Sequence, residues 1–234
     1  LVHYQVTDGV VTITLDSPGN RNALSAPLRA QLTAALQRAS GDPAARVIVL
    51  THTGPVFCAG MDLKEAAVAA PGTEGVRELP RILQLVTHCP QPVIARLTGP
   101  ARAGGVGIMA ACDVVVAARE ATFAFSEVRI GLIPAVISVP VLARLDPVAA
   151  RELLLTGEVF DAGRALAIGL VNAVADTEDL DAAVRRYTDA LLAGGPGALA
   201  GTKELLRASV DDSDARYAEL LELSARQFDT DEAR

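Results

Sequence analysis

Two glycine-bearing segments, 57–64 and 99–107, could supply hydrogen-bond donors to a reacting oxygen. Each follows a short apolar run that predicts a strand, at 47–51 and 92–97, and each leads into residues that can begin a helix. Glycine lets the backbone bend sharply and lets a ligand approach closely, and the first amides of a helix have no partner within it. Two such turns facing each other would aim a pair of N–H groups at one oxygen, which is the arrangement that stabilises an enolate or another oxyanion.

The elements that must position these turns follow from hydrophobic spacing. Residues 2–15 alternate around Asp8-Gly9, which predicts a β-hairpin. Ser25 is a candidate N-cap, because apolar residues recur at helical spacing after it. Short β-branched runs separated by helical stretches favour β-α units and a mostly parallel sheet; these runs are 47–51, 92–97 and 113–117.

Two further regions complete the predicted organisation. Residues 66–76 lack a clear period, so we expect a mobile loop beside the first glycine turn. Beyond residue 131 the pattern turns helical, with Gly or Pro between most segments; these segments are 147–155, 161–167, 178–192, 196–209 and 214–228. We therefore predict an α/β core over 1–145 and a helical C-terminal region over 146–234.

Composition excludes several classes of function. The chain has 234 residues, of which 50% are apolar, and a net charge of −7. The acidic balance argues against a nucleic-acid or anionic-membrane surface, and the longest apolar run, 106–118, is too short to span a bilayer. The N-terminus shows no signal peptide, and the three cysteines form no CxxC. We expect a cytoplasmic protein with reduced thiols.

Two other readings of polar and glycine residues are weaker. His3, His52 and His88 are scattered, with no spacing to a carboxylate or cysteine that indicates a metal site or a triad. Residues 105–110 match the GxGxxA dinucleotide pattern. However, Asp113 follows too soon for a ribose-binding acid, and the oxyanion loop explains these glycines better. We expect structural histidines, no metal and no bound nicotinamide cofactor.

Taken with their surroundings, these segments resemble the enoyl-CoA hydratase/isomerase (crotonase) family over nearly the whole chain. Six segments carry the resemblance, and they occur in order with sensible spacing. They are 22–24 (NAL), 57–64 (FCAGMDLK), 92–95 (PVIA), 103–113, 123–134 and 155–171.

The resemblance implies a fold and a substrate class. The expected fold is α/β, with a crotonase-like ββα superhelix as its core and a helical C-terminal trimerisation region. Trimers of such chains often pair into hexamers, and the substrates are acyl-CoA thioesters. The backbone amides of Met61 and Gly104 would form the oxyanion hole around the thioester carbonyl. Because these donors are backbone groups, Met61 should tolerate side-chain changes better than Gly104.

The resemblance also implies a site for the coenzyme A part of the substrate and no metal or redox cofactor. Lys64 matches a position near the CoA nucleotide, where it could pair with phosphate; the alternative is an exposed, solvated lysine. The remaining positions are carried over by resemblance alone: Arg21, Ala23, Ala59, Asp62, Leu63 and Gly105.

The acid–base residues are where the chain departs from the two-glutamate hydratases of the family. One of their glutamates lies three residues after the oxyanion glycine, and here that position is Gly107. The second corresponds to Glu127, which is present. Apolar neighbours such as Phe125 and Ile130 should raise the pKa of Glu127. The structural alternative is a solvated carboxylate, or one paired with Arg129.

A single glutamate leaves several functions open. Hydration of 2-enoyl-CoA remains possible, and hydratase-like branches with glycine at this position exist, including methylglutaconyl-CoA hydratase-like proteins. The Δ3,Δ2-enoyl-CoA isomerases also keep only the later glutamate. A non-catalytic acyl-CoA-binding paralogue is a third possibility. Ala135 stands where a related dehalogenase would carry its nucleophilic aspartate, so dehalogenation is not expected.

Overall fold

A computed structural model describes residues 1–62, 65, 73–228 and 230. The chain opens with the predicted hairpin, β1 (Val2–Thr7) and β2 (Val10–Leu15), whose strands are antiparallel with Val2 opposite Leu15. The two connecting residues, Asp8 and Gly9, have φ of 48° and 82°. Two positive φ angles are what a two-residue type I′ hairpin turn requires, so the hairpin prediction is confirmed.

The hairpin forms one edge of the main sheet, which has six strands within the described residues. The strand order is β1-β2-β3-β4-β6-β9, and every pair after the hairpin is parallel. The predicted parallel sheet is therefore confirmed. Its further strands are β3 (Val47–His52), β4 (Val93–Leu97), β6 (Val114–Ala118) and β9 (Ala173–Ala175).

A second, smaller sheet carries the segments that matter for function. Its described strands are β5 (Ala101–Arg102), β7 (Thr122–Ala124) and β8 (Phe160–Asp161), in the order β5-β7-β8. β5 is parallel to β7, with Ala101 opposite Phe123. The residues that follow β5 and β7 therefore leave the sheet side by side, at the same end.

The helices cover both sheets. Their bounds are α1 (Ala26–Gly41), α2 (Thr73–His88), α3 (Gly104–Ala111), α4 (Ser138–Leu142), α5 (Pro147–Thr156), α6 (Ala162–Ala167), α7 (Leu180–Leu192), α8 (Pro196–Arg207) and α9 (Asp214–Phe228). No helix of the described residues is long and apolar enough to cross a membrane.

Apolar side chains fill both faces of the main sheet, as expected for parallel strands covered by helices. The larger cluster lies between the sheet, α1, α2 and α3, and includes Ile48, Leu50 and Val93. A smaller cluster on the opposite face includes Val49 and Ile94, against Leu180 and Val184 of α7. Successive residues of β3 and β4 therefore pack into opposite clusters, so both faces of these strands are buried.

Three predictions need correction. The expected loop at 66–76 is wrong for residues 73–76, which begin α2, while 66–72 lie outside the described residues. The region after 145 is not purely helical, because β8 and β9 from it extend the two sheets. Ser25 stands at the N-cap of α1, but its hydroxyl does not cap the helix; the Glu65 carboxylate accepts from Ala26 N instead, at 2.7 Å.

Candidate active site

The first glycine turn is held on two sides by backbone hydrogen bonds. On one side Phe57 N donates to Pro100 O at 2.9 Å, which joins the turn to the segment that leads into β5. On the other side Leu24 N donates to Gly60 O at 2.8 Å, and Leu24 pairs with Met61 in a parallel bridge. Gly60 has φ of 88°, a backbone conformation that favours glycine because residues with a Cβ rarely adopt it.

The second turn lies between β5 and α3. Ala103, its central residue, has φ of 47° and ψ of −120°, which is a strained backbone conformation for a non-glycine residue. Ala103 N donates to Ala124 O at 3.1 Å, so β7 fixes the turn. The strain is thereby offset by a hydrogen bond to the sheet, and helix α3 begins at the next residue, Gly104.

The two turns contact each other. A Cβ added at Gly60 would lie 3.0 Å from Ala103 Cβ and 3.6 Å from Gly104 N. Met61 and Gly104 line one cavity, and neither backbone N–H donates a hydrogen bond to any residue that the structure describes. A pair of unused amides at one cavity wall can serve as donors to a ligand oxygen.

Glu127 lines the same cavity from the turn that follows β7. A 3-10 helix over Ser126–Ile130 places it there, and Gly131, with φ of 70°, ends that helix. Its Oε2 atom is shielded from solvent and has no hydrogen-bond partner among the described residues. Burial raises the pKa of Glu127 to about 7, because a carboxylate is poorly solvated there. Among the described residues Glu127 forms no ion pair with Arg129, which does not contribute to its pKa shift, so the ion-pair alternative is not supported.

The cavity itself has about 150 Å³ of space that water-sized molecules can enter. Most of its wall is apolar, with Ile133, Pro134, Ala135, Val136 and Ile137 on one side and Val76 and Leu79 of α2 on another. The polar groups among its described lining residues are Arg29, Asp62, Glu65, Ser126, Glu127 and Ser224.

The place of the absent glutamate is filled by another side chain. A Cβ added at Gly107 would lie 2.4 Å from Ile137 Cγ2 and 2.9 Å from Ile137 Cβ. No side chain at residue 107 fits while Ile137 holds this position. The wall that carries a second carboxylate in two-glutamate hydratases is therefore apolar here.

Arg29 is a cavity residue that sequence reasoning missed. It is 1% exposed, although it is an arginine, and it lies on α1. A signal was present, because residue 29 falls within the apolar stripe of α1, three residues before Leu32 and seven before Leu36. A charged residue in such a stripe is expected to be paired.

Only some of the positions predicted to bind coenzyme A line the cavity. Ala59 and Asp62 line the cavity, and Asn20 Nδ2 donates to Asp62 Oδ2 at 3.4 Å. Arg21, Ala23 and Gly105 do not line it. Arg21 contributes its carbonyl, which accepts from Ala59 N at 3.1 Å, and a Cβ added at Gly105 would lie 2.6 Å from Cys58 O. Leu63 and Lys64 lie outside the described residues.

The histidines lie away from the cavity. His3 and His88 each contact a carboxylate at 2.6 Å, from Asp16 and Asp212, and His52 Nε2 accepts from Thr98 N at 3.1 Å. Among the described residues, no group of three His, Cys, Asp or Glu side chains is arranged to hold a metal ion.

Comparison with known proteins points to one family. A sequence model of the enoyl-CoA hydratase/isomerase family matches residues 5–233. A crystal structure of an enoyl-CoA hydratase from Mycobacterium avium superposes with a TM-score of 0.91 at 44% identity, covering 100% of this chain and 93% of the other. A curated relative from Thermus thermophilus, named provisionally as an enoyl-CoA hydratase, is 37% identical over 87% of this chain and 83% of its own.

A third relative carries a different name. A carnitinyl-CoA dehydratase of Proteus mirabilis is 33% identical, over 89% of this chain and 80% of its own. The chain thus has the crotonase fold, as the sequence predicted.

Proposed function

Because the chain belongs to the enoyl-CoA hydratase/isomerase family, whose members bind acyl-CoA substrates, we propose that it adds water to 2-enoyl-CoA thioesters and forms 3-hydroxyacyl-CoA. The observation that carries this proposal is the juxtaposition in one cavity of two backbone amides that donate to no described residue, at Met61 and Gly104, and one buried carboxyl group, at Glu127.

The proposed reaction uses these three groups together. The thioester oxygen accepts hydrogen bonds from the Met61 and Gly104 amides, which polarises the conjugated double bond. The Glu127 carboxylate removes a proton from water as the hydroxyl oxygen bonds to C3, and the negative charge moves to the thioester oxygen. Protonated Glu127 then donates its proton to C2, which restores the thioester and the carboxylate. The net change is the addition of one water, without redox chemistry, so we expect no metal or redox cofactor.

A second candidate is the isomerisation of 3-enoyl-CoA to 2-enoyl-CoA. One observation favours it: Ile137 fills the place of a second carboxylate, so the wall around residue 107 offers no side chain to hold water. Isomerisation needs only one group, since Glu127 can remove a proton from C2 and return it to C4 while the oxyanion hole stabilises the dienolate between the two steps.

One experiment separates these reactions. The purified protein is incubated with 2-enoyl-CoA and 3-enoyl-CoA series, and the products are resolved by mass spectrometry and chromatography. Hydration adds the mass of one water to the 2-enoyl substrates, whereas isomerisation of the 3-enoyl substrates changes retention without changing mass. We expect the first result.

Two variants control the assay. Glu127→Gln removes the acid–base group and should abolish turnover, while Glu204→Gln makes the same chemical change at an exposed position on α8 and should not affect it. Turnover that survives Glu127→Gln would contradict the assigned role. Binding of CoA esters without turnover in either series would instead support the non-catalytic acyl-CoA-binding paralogue.

Other parts of the proposal rest on the resemblance alone. Contacts of Arg21, Ala23, Ala59, Asp62, Leu63, Lys64 and Gly105 with coenzyme A stay predictions. Assembly into a homotrimer or a hexamer and a cytoplasmic location also stay predictions.

A further inference from the structure

Arg29 joins three parts of the site through separate hydrogen bonds. Its Nη1 donates to Leu24 O at 2.5 Å, its Nη2 donates to Glu65 Oε1 at 3.0 Å, and its Nε donates to Glu78 Oε2 at 2.5 Å. The planar guanidinium suits this task, because it presents donors in fixed directions that a lysine ammonium cannot match. Burial lowers the pKa of Arg29, but Glu78 and Glu65 outweigh it and the net shift is upward, so the side chain is a cation.

The bond to Leu24 leads directly to the oxyanion amide. Leu24 accepts from Arg29 through its carbonyl, and its own N–H donates to Gly60 O at 2.8 Å. Leu24 also pairs with Met61 in a parallel bridge. Leu24 therefore links Arg29 to the turn that carries the Met61 N–H, and the position of this N–H depends on where Arg29 holds the Leu24 carbonyl.

The two carboxylates that hold Arg29 come from separate parts of the chain. Glu65 lies four residues beyond Met61, and its second oxygen accepts from Ala26 N, the first amide of α1. Glu78 lies on α2, the helix that contributes Val76 and Leu79 to the cavity. A Cβ added at Gly75 would lie 2.4 Å from Met61 Cε and 2.9 Å from Arg29 Nη1, so the first turn of α2 rests directly on both residues.

We propose that Arg29 is a positioning residue for the oxyanion hole: through the Leu24 carbonyl it sets where the Met61 amide lies, and Glu65 and Glu78 hold the guanidinium in place for this task. The effect on catalysis rests on the proposed function. The effect on a bound thioester does not, because it requires only that the carbonyl occupies the oxyanion hole.

The test uses Arg29→Gln and a probe that cannot turn over. The probe is butyryl-CoA labelled with ¹³C at the thioester carbonyl, whose infrared stretching band moves to lower wavenumber when the carbonyl accepts hydrogen bonds. We expect this shift in the wild-type protein and a smaller shift in Arg29→Gln. Since loss of one oxyanion donor costs about 10²–10³ in kcat, misplacement of one donor should cost about tenfold to a hundredfold, with KM changed by less than about threefold.

A matched control and a second variant keep the test sharp. Arg38→Gln makes the same substitution on the exposed side of α1 and should match the wild type in band position and kcat. Glu65→Gln disturbs one support of Arg29, and should reduce the band shift in the same direction. It should fold, because Glu65 is 34% exposed and its replacement can reach water. If Arg29→Gln does not fold, the band shift measured in Glu65→Gln tests the proposal instead.

The outcomes separate this inference from the proposed function. A wild-type band position in both Arg29→Gln and Glu65→Gln would overturn the positioning role, whatever stability these variants lose. A shifted probe in a wild-type protein that hydrates no 2-enoyl-CoA would overturn the proposed function and leave the role of Arg29 intact. An unshifted probe in the wild-type protein would contradict the oxyanion hole itself, and with it both proposals.

Discussion

Ile137 occupies the space that a side chain at residue 107 would need: a Cβ built on Gly107 lies 2.4 Å from Ile137 Cγ2. The absence of a side chain at residue 107 and the apolar wall beside it are therefore one structural feature. A glutamate cannot be restored at 107 unless Ile137 changes as well.

This relationship predicts strong coupling between the two positions. Gly107→Ala alone should destabilise the protein by about 1–3 kcal/mol, because the added methyl group overpacks a fully buried contact. In an Ile137→Ala background the same change should cost clearly less, since the cavity can accept the methyl group. Urea denaturation of the four proteins of the cycle measures this interaction energy. Equal costs in both backgrounds would show that Gly107 tolerates a side chain by another route.

The raised pKa of Glu127 predicts a pH dependence of catalysis. Both proposed reactions begin with Glu127 as a carboxylate, so activity requires its deprotonated form. With a pKa of about 7 in the free protein, kcat/KM should rise between pH 5 and pH 8 with a midpoint near 7. The measurement is initial rate against pH at low substrate concentration. A flat profile across this range would contradict the assignment of Glu127 as the base.

Glu127 should also affect stability, with a definite sign. Its folded-state pKa of about 7 lies above the ordinary value of 4.5, so the unfolded chain ionises first as pH rises and wild-type stability falls between these two values. Glutamine cannot ionise. Glu127→Gln should therefore gain stability relative to the wild type from pH 5 to pH 8, by about 1–3 kcal/mol, and the gain should vanish below pH 4. Thermal unfolding followed at several pH values tests this, with Glu204→Gln as the variant that should show no such trend.

The proposed oxyanion hole predicts contrasting effects at two neighbouring positions. Met61→Leu should change kcat by less than about threefold, because the donor is the backbone amide and the volume is conserved. Gly60→Ala should lower kcat by about a hundredfold or more. Its Cβ would press on Ala103 Cβ at 3.0 Å and Arg102 O at 3.1 Å, at a φ of 88° that alanine disfavours. Steady-state kinetics measure kcat for both variants, and circular dichroism confirms that they fold. A fall in kcat for Met61→Leu as large as that expected for Gly60→Ala would mean that the side chain of Met61 matters more than its amide.

Much of this architecture could be predicted because its determinants are local in sequence. The hairpin turn needs Asp8-Gly9, and the first of the two facing turns needs Gly60 at a positive φ; such requirements can be read from a few neighbouring residues. The raised pKa of Glu127 also followed from its apolar neighbours, Phe125 among them.

Long-range contacts explain what could not be predicted. Glu65, not Ser25, caps α1, because the chain returns to that helix end thirty-nine residues later. The strand β9 pairs with β6, although more than fifty residues separate the two strands in the sequence. Arg29 is buried because two carboxylates from separate segments meet it. Local sequence patterns do not reveal contacts between residues that are distant in the sequence and that only the fold brings together.

The proposed donors at Met61 and Gly104 are backbone groups, and this has a consequence for the way in which the protein can diversify. Every residue except proline has a backbone N–H, so mutation of the surrounding wall does not by itself remove the proposed donors. Under the proposed function, substitutions at Val76, Leu79 and Val136 should then admit differently shaped acyl groups without removing these donors. Libraries randomised at these three codons are where selection for a new acyl preference would begin.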